Sequence, residues 1–178
     1  MSKNVLVLSA SPRKGGNSDL LCDQFLLGAK EAGNQTEKIF LRDKKIGYCT
    51  GCESCYVNHK CVQKDDMAEV LEKMIAADVI VMATPVYFYT MNAQMKTLID
   101  RTVPRYEEIT EKEFYFIVTA ADSGKSAMER TLDGFRGFTL CLNGAREKGV
   151  VYGVGVWRKG DINGSATLQQ AYEMGKTV

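Results

Sequence analysis

The amino-acid sequence predicts an α/β fold in which helices cover both faces of a parallel β-sheet. Four segments are short and continuously apolar, rich in β-branched and aromatic residues, as is typical of strands that are buried on both faces. These segments are VLVL (5–8), VIVMA (79–83), FYFIV (114–118) and VVYGVGV (150–156). Helix-periodic segments lie between them, and right-handed crossover connections arrange such elements in a three-layer α/β sandwich.

The remaining elements continue the alternation of strands and helices. The segment TEKIFL (36–41) is more polar than the other strands and fits the edge of the sheet. Apolar side chains recur with helical spacing in residues 66–76 and 92–102. The predicted helices are residues 18–32, 66–76, 92–102, about 126–142 and about 164–176. No linker rich in Pro, Gly or Ser interrupts the 178 residues, which predicts a single domain over residues 1–178.

Charge and hydropathy argue against several classes of partner. The formal net charge is +1, with acids and bases mixed along the chain, so there is no basic stripe for nucleic acid and no polybasic patch for a membrane. No apolar segment approaches bilayer-spanning length, and the N-terminal apolar run of four residues is too short for a signal peptide. We therefore expect a cytoplasmic protein whose thiols stay reduced, with neither nucleic acid nor membrane as a partner.

The loop after the first strand, SASPRKGGNS (9–18), is a candidate anion site. It lacks the G-x-G-x-x-G pattern of a dinucleotide-binding turn. Just before a helix N-terminus it carries hydroxyl, amide and guanidinium groups from Ser9, Ser11, Arg13, Asn17 and Ser18. Backbone N–H groups and the helix dipole favour a phosphate monoester there. The alternative is a polar turn in which Asn17 or Ser18 caps the helix.

The loop after the third strand, TPVYFYTMNAQ (84–94), places bulky side chains where a polar turn is expected. They follow Pro85 and are Tyr87, Phe88, Tyr89 and Met91. Such side chains fold back onto the core, pack against another subunit or cover a planar ligand such as a flavin. A partner subunit over this surface would make the protein a homodimer or homotetramer.

The loop after the fourth strand, TAADSGKSAMER (119–130), ends like a nucleotide-binding P-loop without being one. Thr119 stands where that motif requires a glycine, and the third strand does not end in the aspartate that would hold magnesium. We interpret this segment as a further ligand-contacting loop. Its residues nearest the end of the strand are Thr119, Ala120 and Ser123.

Three segments together resemble the NADPH-dependent FMN reductase and iron–sulfur flavoprotein family. They are SASPRKGGNS, CTGCESCYVNHKCVQKDDM and TPVYFYTMNAQMKTLIDRT, and the resemblance spans roughly the first 120 residues. It implies a flavodoxin-like fold with a five-stranded parallel sheet of order 2-1-3-4-5, non-covalently bound FMN, and NAD(P)H as the electron donor. One departure is Ala10, where the family usually has a glycine.

The resemblance also implies which residues contact FMN. The phosphate would be held by Ser9, Ser11, Arg13, Asn17 and Ser18. The isoalloxazine ring would be framed by Pro85, Val86, Tyr87 and Phe88, with Thr119, Ala120 and Ser123 closing its other edge. No catalytic side chain is implied, because the redox chemistry belongs to the flavin.

The segment GYCTGCESCYVNHKC (47–61) gathers four of the six cysteines with the spacing C-x2-C-x2-C-x5-C. This spacing is similar to the motif that ligates one [4Fe–4S] cluster in iron–sulfur flavoproteins, and a tight loop can present several thiolates to one compact object. Zinc is an alternative, although two well-separated pairs are its usual arrangement. A third interpretation is that the cysteines only shape the loop. The candidate ligands are Cys49, Cys52, Cys55 and Cys61.

Two main classes of function follow, with a third beside them. As an enzyme, the protein would pass electrons from a nicotinamide to a quinone, a small oxidant or the iron–sulfur cluster. As a carrier of the flavodoxin kind, it would pass electrons between protein partners. Such carriers tend to be strongly acidic, so the near-neutral charge of this chain favours the enzyme. A thiol redox sensor using Cys49 to Cys61 is the third class.

Overall fold

The structure, a computed structural model, describes residues 2–178, so Met1 of the predicted domain lies outside the described residues. The strands are β1 (Asn4–Ser9), β2 (Gln35–Phe40), β3 (Val79–Tyr87), β4 (Thr90–Met91), β5 (Glu113–Thr119) and β6 (Arg146–Gly153). The helices are α1 (Asn17–Glu31), α2 (Cys55–Asn58), α3 (Met67–Ala76), α4 (Ala93–Asp100), α5 (Glu129–Leu140) and α6 (Ala166–Lys176).

Five of the strands form a parallel sheet in the order β2-β1-β3-β5-β6. Counted without β4, this is the expected order 2-1-3-4-5, and the three-layer α/β architecture is confirmed. The expected number of strands was too low by one. The two-residue strand β4 pairs antiparallel with the end of β3, where Val86 lies opposite Met91 and Tyr87 opposite Thr90. Aromatic residues after Pro85 thus extend the strand into a hairpin.

Alternating residues of the central strands point into two separate cores. In β1, Leu6 and Leu8 pack on the face covered by α3, α4 and α5, whereas Val5 and Val7 pack on the other face under α1 and α6. β2 is the edge strand that its polar sequence predicts, with mostly exposed or half-buried residues. None of the helices between residues 2 and 178 has the length and apolar character needed to cross a bilayer.

Three differences from the predicted elements shape the functional sites. β6 ends at Gly153, so residues 154–156 leave the sheet and begin a loop. The segment 92–102 is helical only to Asp100. A short helix, α2, lies within the cysteine segment. In each case tertiary contacts override a local apolar or polar pattern.

Candidate functional site

A cavity of 370 Å³ opens at the carboxyl edge of the sheet, where the loops after β1, β3 and β5 meet. Ligands of doubly wound sheets bind at this edge. All but two of the predicted cofactor-binding residues line it: Ser11, Arg13, Asn17, Ser18, Pro85, Val86, Tyr87, Phe88, Thr119 and Ala120. We call this the sheet-edge cavity. Its volume lies within the range of about 300–1,000 Å³ that is usual for small-ligand sites.

The other two predicted residues lie outside the lining of the sheet-edge cavity. Ser9 ends β1 and is fully buried, and its hydroxyl has no hydrogen-bond partner among the residues that the structure describes. Ser123 lies in an exposed turn, one residue after Asp122, whose carboxylate accepts a hydrogen bond from the Gly124 N–H at 2.7 Å. The structure thus brings most of the predicted residues together but does not bring these two to the cavity.

The loop after β1 leaves the start of α1 without a side-chain cap. Gly16 precedes the helix, and within residues 2–178 no side chain caps the first-turn N–H groups, so the alternative of an Asn17 or Ser18 cap is wrong. The loop is closed instead by Ser11, whose hydroxyl donates to the Arg13 carbonyl at 3.0 Å. The uncapped N–H groups at this helix end favour an anion.

A buried carboxylate fixes the same loop from the opposite side. Asp19 accepts a hydrogen bond from the Gly15 N–H at 2.7 Å and forms an ion pair with Lys38 at 2.8 Å. Partial burial lowers the pKa of Lys38, but the bonds to Asp19 and Asp23 outweigh it and leave the pKa above its ordinary value. Lys38 therefore stays charged and balances a carboxylate that would otherwise repel an anion at the helix end.

Asn17 and Ser18 tie the cavity walls to one another. The Ser18 and Thr119 hydroxyl oxygens lie 2.7 Å apart in a buried contact that joins the start of α1 to the end of β5. The Asn17 amide donates to the Arg158 carbonyl at 2.9 Å and accepts from the N–H groups of Gly160 and Ile162. Two residues predicted to touch phosphate therefore also hold the framework of the site.

A loop after β6, residues 154–163, forms a wall that the sequence analysis missed. Trp157 lines the cavity with 73% of its surface exposed. The Asp161 carboxylate accepts from the N–H groups of Trp157 and Arg158 at 2.9 and 2.6 Å, and Arg13 donates to the Trp157 carbonyl at 3.1 Å. The single tryptophan, in a polar segment flanked by glycines, could have indicated a ligand-contacting loop here. The apolar run 150–156 instead predicted a longer strand.

The hairpin between β3 and β4 holds two aromatic residues in a strained conformation. Phe88 and Tyr89 have φ values of 49° and 66°, and they form a two-residue turn. Positive φ at both positions is the type I′ pattern, which is usually filled by Asn-Gly. Phe88 is fully exposed, whereas Met91 packs into the core. A side chain that is strained and solvated indicates a functional constraint.

The buried Asn92 couples this hairpin to the loop after β1. Its amide donates to the Ala10 carbonyl at 2.5 Å, and its side-chain oxygen accepts from the Met95 N–H at 3.2 Å, capping α4. The Asn92 N–H also donates to the Thr84 hydroxyl at 3.1 Å. Ala10 itself is fully buried and donates to the Ala83 carbonyl, so the departure from glycine at this position fits without strain.

A second, smaller cavity of 170 Å³ is lined by all four clustered cysteines, and we call it the cysteine cavity. Cys49 and Cys52 are exposed, and Cys55 and Cys61 are half-buried. The Ser54 N–H, together with the hydroxyls of Ser54 and Thr50, lowers the pKa of the Cys52 thiol. Donors around a sulfur stabilise its thiolate, which is the form that binds metals. Between residues 2 and 178, no group of three or more His, Cys, Asp or Glu side chains is arranged to hold a metal ion.

Arg101, which follows α4, forms the inner wall of the cysteine cavity. Its side chain is only 1% exposed, and it forms a two-pronged ion pair with Asp65 at 2.7 and 2.9 Å. Burial lowers the pKa of the Arg101 guanidinium, while Asp65 and the nearby Cys61 sulfur raise it above its ordinary value. Sequence analysis did not select Arg101, because a cation at the end of an amphipathic helix is usually a solvated partner of the helix dipole.

Among the residues that the structure describes, the sheet-edge cavity and the cysteine cavity share none in their linings. Asn92 caps the start of α4 and bonds to the loop after β1, and Arg101 follows the end of α4 at the cysteine cavity. Eight helical residues span about 12 Å at 1.5 Å per residue. The chain therefore has two distinct cavities, separated along the chain by α4.

The family of the chain follows from a comparison of its sequence with known proteins. The family model described as NADPH-dependent FMN reductase matches residues 3–143. The chain belongs to this family. An iron–sulfur flavoprotein from Archaeoglobus fulgidus is 36% identical over 170 residues, covering 94% of this chain and 75% of that protein. Members of the NADPH-dependent FMN reductase family are flavin oxidoreductases. This chain is therefore a flavin oxidoreductase.

Two further comparisons define how far the similarity extends. An iron–sulfur flavoprotein from Methanosarcina thermophila is 43% identical over 96 residues, covering 54% of this chain and 50% of that protein. The chain thus matches about half of the length of this relative. The solved structure of an NAD(P)H:quinone oxidoreductase from Methanothermobacter marburgensis aligns with 99% of this chain and 97% of its own, with a TM-score of 0.74 and 17% identity. That likeness confirms the fold.

Proposed function

We propose that the sheet-edge cavity binds FMN and that the protein uses it to oxidise NAD(P)H. The observation that carries this proposal is the combination of an uncapped helix N-terminus and exposed aromatic side chains in one cavity. The first feature fits a phosphate and the second fits a planar ring. One ligand that has both a phosphate monoester and a large flat ring is FMN.

The phosphate end of the site is built from residues around the start of α1. Ser11 and Arg13 line the cavity beside the free N–H groups of the helix, and charged donors make strong hydrogen bonds to phosphate. Lys38 neutralises Asp19 behind the loop. The loop has no glycine-rich path along which a pyrophosphate could approach the backbone, which favours FMN over FAD.

The ring end of the site is formed by apolar and aromatic residues of three loops. Pro85 to Phe88 form one wall and Trp157 another, with Thr119 and Ala120 at the end of β5. Among the described residues that line the cavity, none is a carboxylate, an imidazole or a primary amine. When bound, FMN would supply the hydride and electron transfer. The protein residues would then orient two flat rings and exclude water.

We further propose that the cysteine cavity holds one [4Fe–4S] cluster. All four thiols line one enclosure, and hydrogen-bond donors surround the Cys52 sulfur. The spacing C-x2-C-x2-C-x5-C suits one compact cluster, whereas zinc usually takes two well-separated pairs of cysteines. The relatives named as iron–sulfur flavoproteins support the same assignment. When bound, the cluster would supply one-electron transfer.

The electron acceptor and the assembly belong to the same proposal. The acceptor is a quinone, another small oxidant, the cluster or a protein partner. The fully exposed Phe88 and the exposed Trp157 at the rim of the cavity favour a homodimer or homotetramer in which a second copy covers the flavin. Sedimentation of the flavin-loaded protein at micromolar concentration would show a dimer or a larger assembly, whereas a monomer would contradict this part.

Anaerobic purification followed by cofactor analysis tests the proposed function. Mass spectrometry of the released cofactor should find FMN, and the protein should oxidise NAD(P)H when a quinone is present. Release of FAD, or absence of flavin, would overturn the flavin assignment. FMN without NAD(P)H oxidation would support a flavodoxin-like carrier, and reactive cysteines without flavin turnover would support a thiol sensor.

A further inference from the structure

Arg101 has one hydrogen-bond donor that its structural partners leave unused. Its terminal nitrogens donate to the carbonyl of Gly47, the side-chain oxygen of Gln63 and both carboxylate oxygens of Asp65. Its Nε–H is fully buried and has no partner within residues 2–178. Native proteins rarely leave a buried N–H unpaired, so such a group points to a ligand or a functional constraint.

The unused donor belongs to a wall of the cysteine cavity. Arg101 and Cys61 both line the cavity, and Cys61 is the cysteine whose sulfur acts on the guanidinium. The ion pair with Asp65 and the bond to Gly47 connect the two ends of the cysteine segment, since Gly47 precedes Cys49 and Asp65 follows Cys61. The guanidinium therefore holds both ends of the loop while its Nε–H stays available.

We propose that Arg101 is a positioning residue for the group bound in the cysteine cavity, with its Nε–H donating to the sulfur of Cys61. The inference rests on the proposed [4Fe–4S] cluster. Hydrogen bonds to cluster sulfurs, and a nearby positive charge, stabilise the more negative reduced form and raise the reduction potential. Arg101 would thus set how readily the cluster accepts an electron as well as where its ligands lie.

Two neighbouring substitutions separate this role from simple support of the fold. Arg101→Lys keeps a positive charge for Asp65 but removes the Nε–H donor. Arg105→Lys is the matched control, because Arg105 lies four residues further on, pairs with Glu72 and Glu108, and does not line the cysteine cavity. Both proteins are prepared anaerobically, and the FMN content of each reports whether the fold is intact.

The readout is the reduction potential of the cluster, which is measured from the absorbance of the cluster during a redox titration. Arg101→Lys should shift the reduction equilibrium about tenfold toward the oxidised cluster, which is about 59 mV for a one-electron couple. Arg105→Lys should keep the potential of the parent. An unchanged potential in the Arg101→Lys protein would overturn the proposal, although the cluster itself would stand.

A third variant tests the sign of the effect. Asp65→Asn keeps an oxygen that can accept from the guanidinium but removes the negative charge that offsets it, so the potential should rise. A purely structural role would move the potentials of the Asp65→Asn and Arg101→Lys proteins in the same direction, and this result would also overturn the proposal. Absence of iron from the parent protein would instead overturn the proposed cluster.

Discussion

The two cavities of this chain are held in place by different means. The strand ends around the sheet-edge cavity are connected by several neutral bonds, chiefly those of Asn17, Asn92 and the Ser18–Thr119 pair. The Asp19–Lys38 ion pair lies behind its first loop. The cysteine cavity lies in a polar loop, and one buried ion pair between Arg101 and Asp65 closes it. The sheet-edge cavity is therefore organised by many contacts between elements of the fold, whereas the cysteine cavity depends mainly on the Arg101–Asp65 pair.

The largest expected effect comes from breaking the ion pair. Asp65→Ala leaves the Arg101 guanidinium buried without its carboxylate, and removing one partner of a buried pair costs about 3 kcal/mol. Urea denaturation should show this loss of unfolding free energy. Lys96→Ala, which breaks an exposed pair with Asp100, is the control and should change stability by less than about 1 kcal/mol. Equal losses in the two variants would show that the Arg101–Asp65 pair stabilises the protein no more than an exposed ion pair does.

The next effect concerns the phosphate end of the sheet-edge cavity. Arg13→Ala together with Ser18→Ala should weaken FMN binding by about 2 kcal/mol, roughly thirtyfold, since hydrogen bonds to charged groups are each worth about 1.5–3 kcal/mol. Fluorescence titration of the flavin-free protein with FMN measures this. Thr119→Val, which removes the hydroxyl partner of Ser18 but no charge, measures how much of this loss comes from the Ser18–Thr119 contact and should cost less than the double variant. Unchanged affinity in the double variant would place the phosphate elsewhere.

A smaller effect should appear at the strained hairpin. Phe88→Asn together with Tyr89→Gly supplies the residues that a type I′ turn prefers and should stabilise the protein by about 1 kcal/mol. Phe88 is fully exposed, so little packing is lost. The same variant should bind FMN more weakly because a wall of the cavity is gone. A less stable protein in thermal denaturation, or unchanged FMN affinity, would contradict a strained functional turn.

The smallest effect is a dependence on pH that separates the two cavities. Partial burial raises the pKa of Asp65. Hydrogen bonds from Arg101 and from the N–H groups of Gly47 and Met67 lower this pKa by more, so it lies below its ordinary value of 3.8. A carboxyl group with a lowered pKa stabilises the fold fully above its unfolded value and loses this contribution as the pH falls through its folded value.

The cysteine loop should therefore open below about pH 3.8, before the amide-linked sheet-edge cavity does. Pepsin cleavage followed across this range, with fragments identified by mass, measures which loop opens first. Asp65→Asn should remove the pH dependence of cleavage near Tyr48 and Tyr56. Cleavage in residues 84–94 at a higher pH than in residues 47–61 would show that the sheet-edge cavity opens first and would contradict this prediction.

How much could be predicted from sequence differs between the two cavities for a physical reason. The apolar runs 79–83 and 114–118 lie within β3 and β5, so local pattern alone could predict that Pro85 and Thr119 come near the sheet edge, although β3 continues to Tyr87. The loop that carries Trp157 could not, because the run 150–156 stays apolar after the strand ends at Gly153. Arg101 could not either, since only tertiary packing turns a helix-end cation into a buried one.

The flavin and iron content of the anaerobic parent protein and of its Cys55→Ser variant tests the central claim that one chain carries two independent sites. The parent should contain about one FMN and about four iron atoms per chain. The variant should lose the iron and keep FMN, because none of the described residues that line the sheet-edge cavity is a cysteine. A parent without FMN, or a variant that loses FMN together with iron, would contradict the proposal of two independent sites.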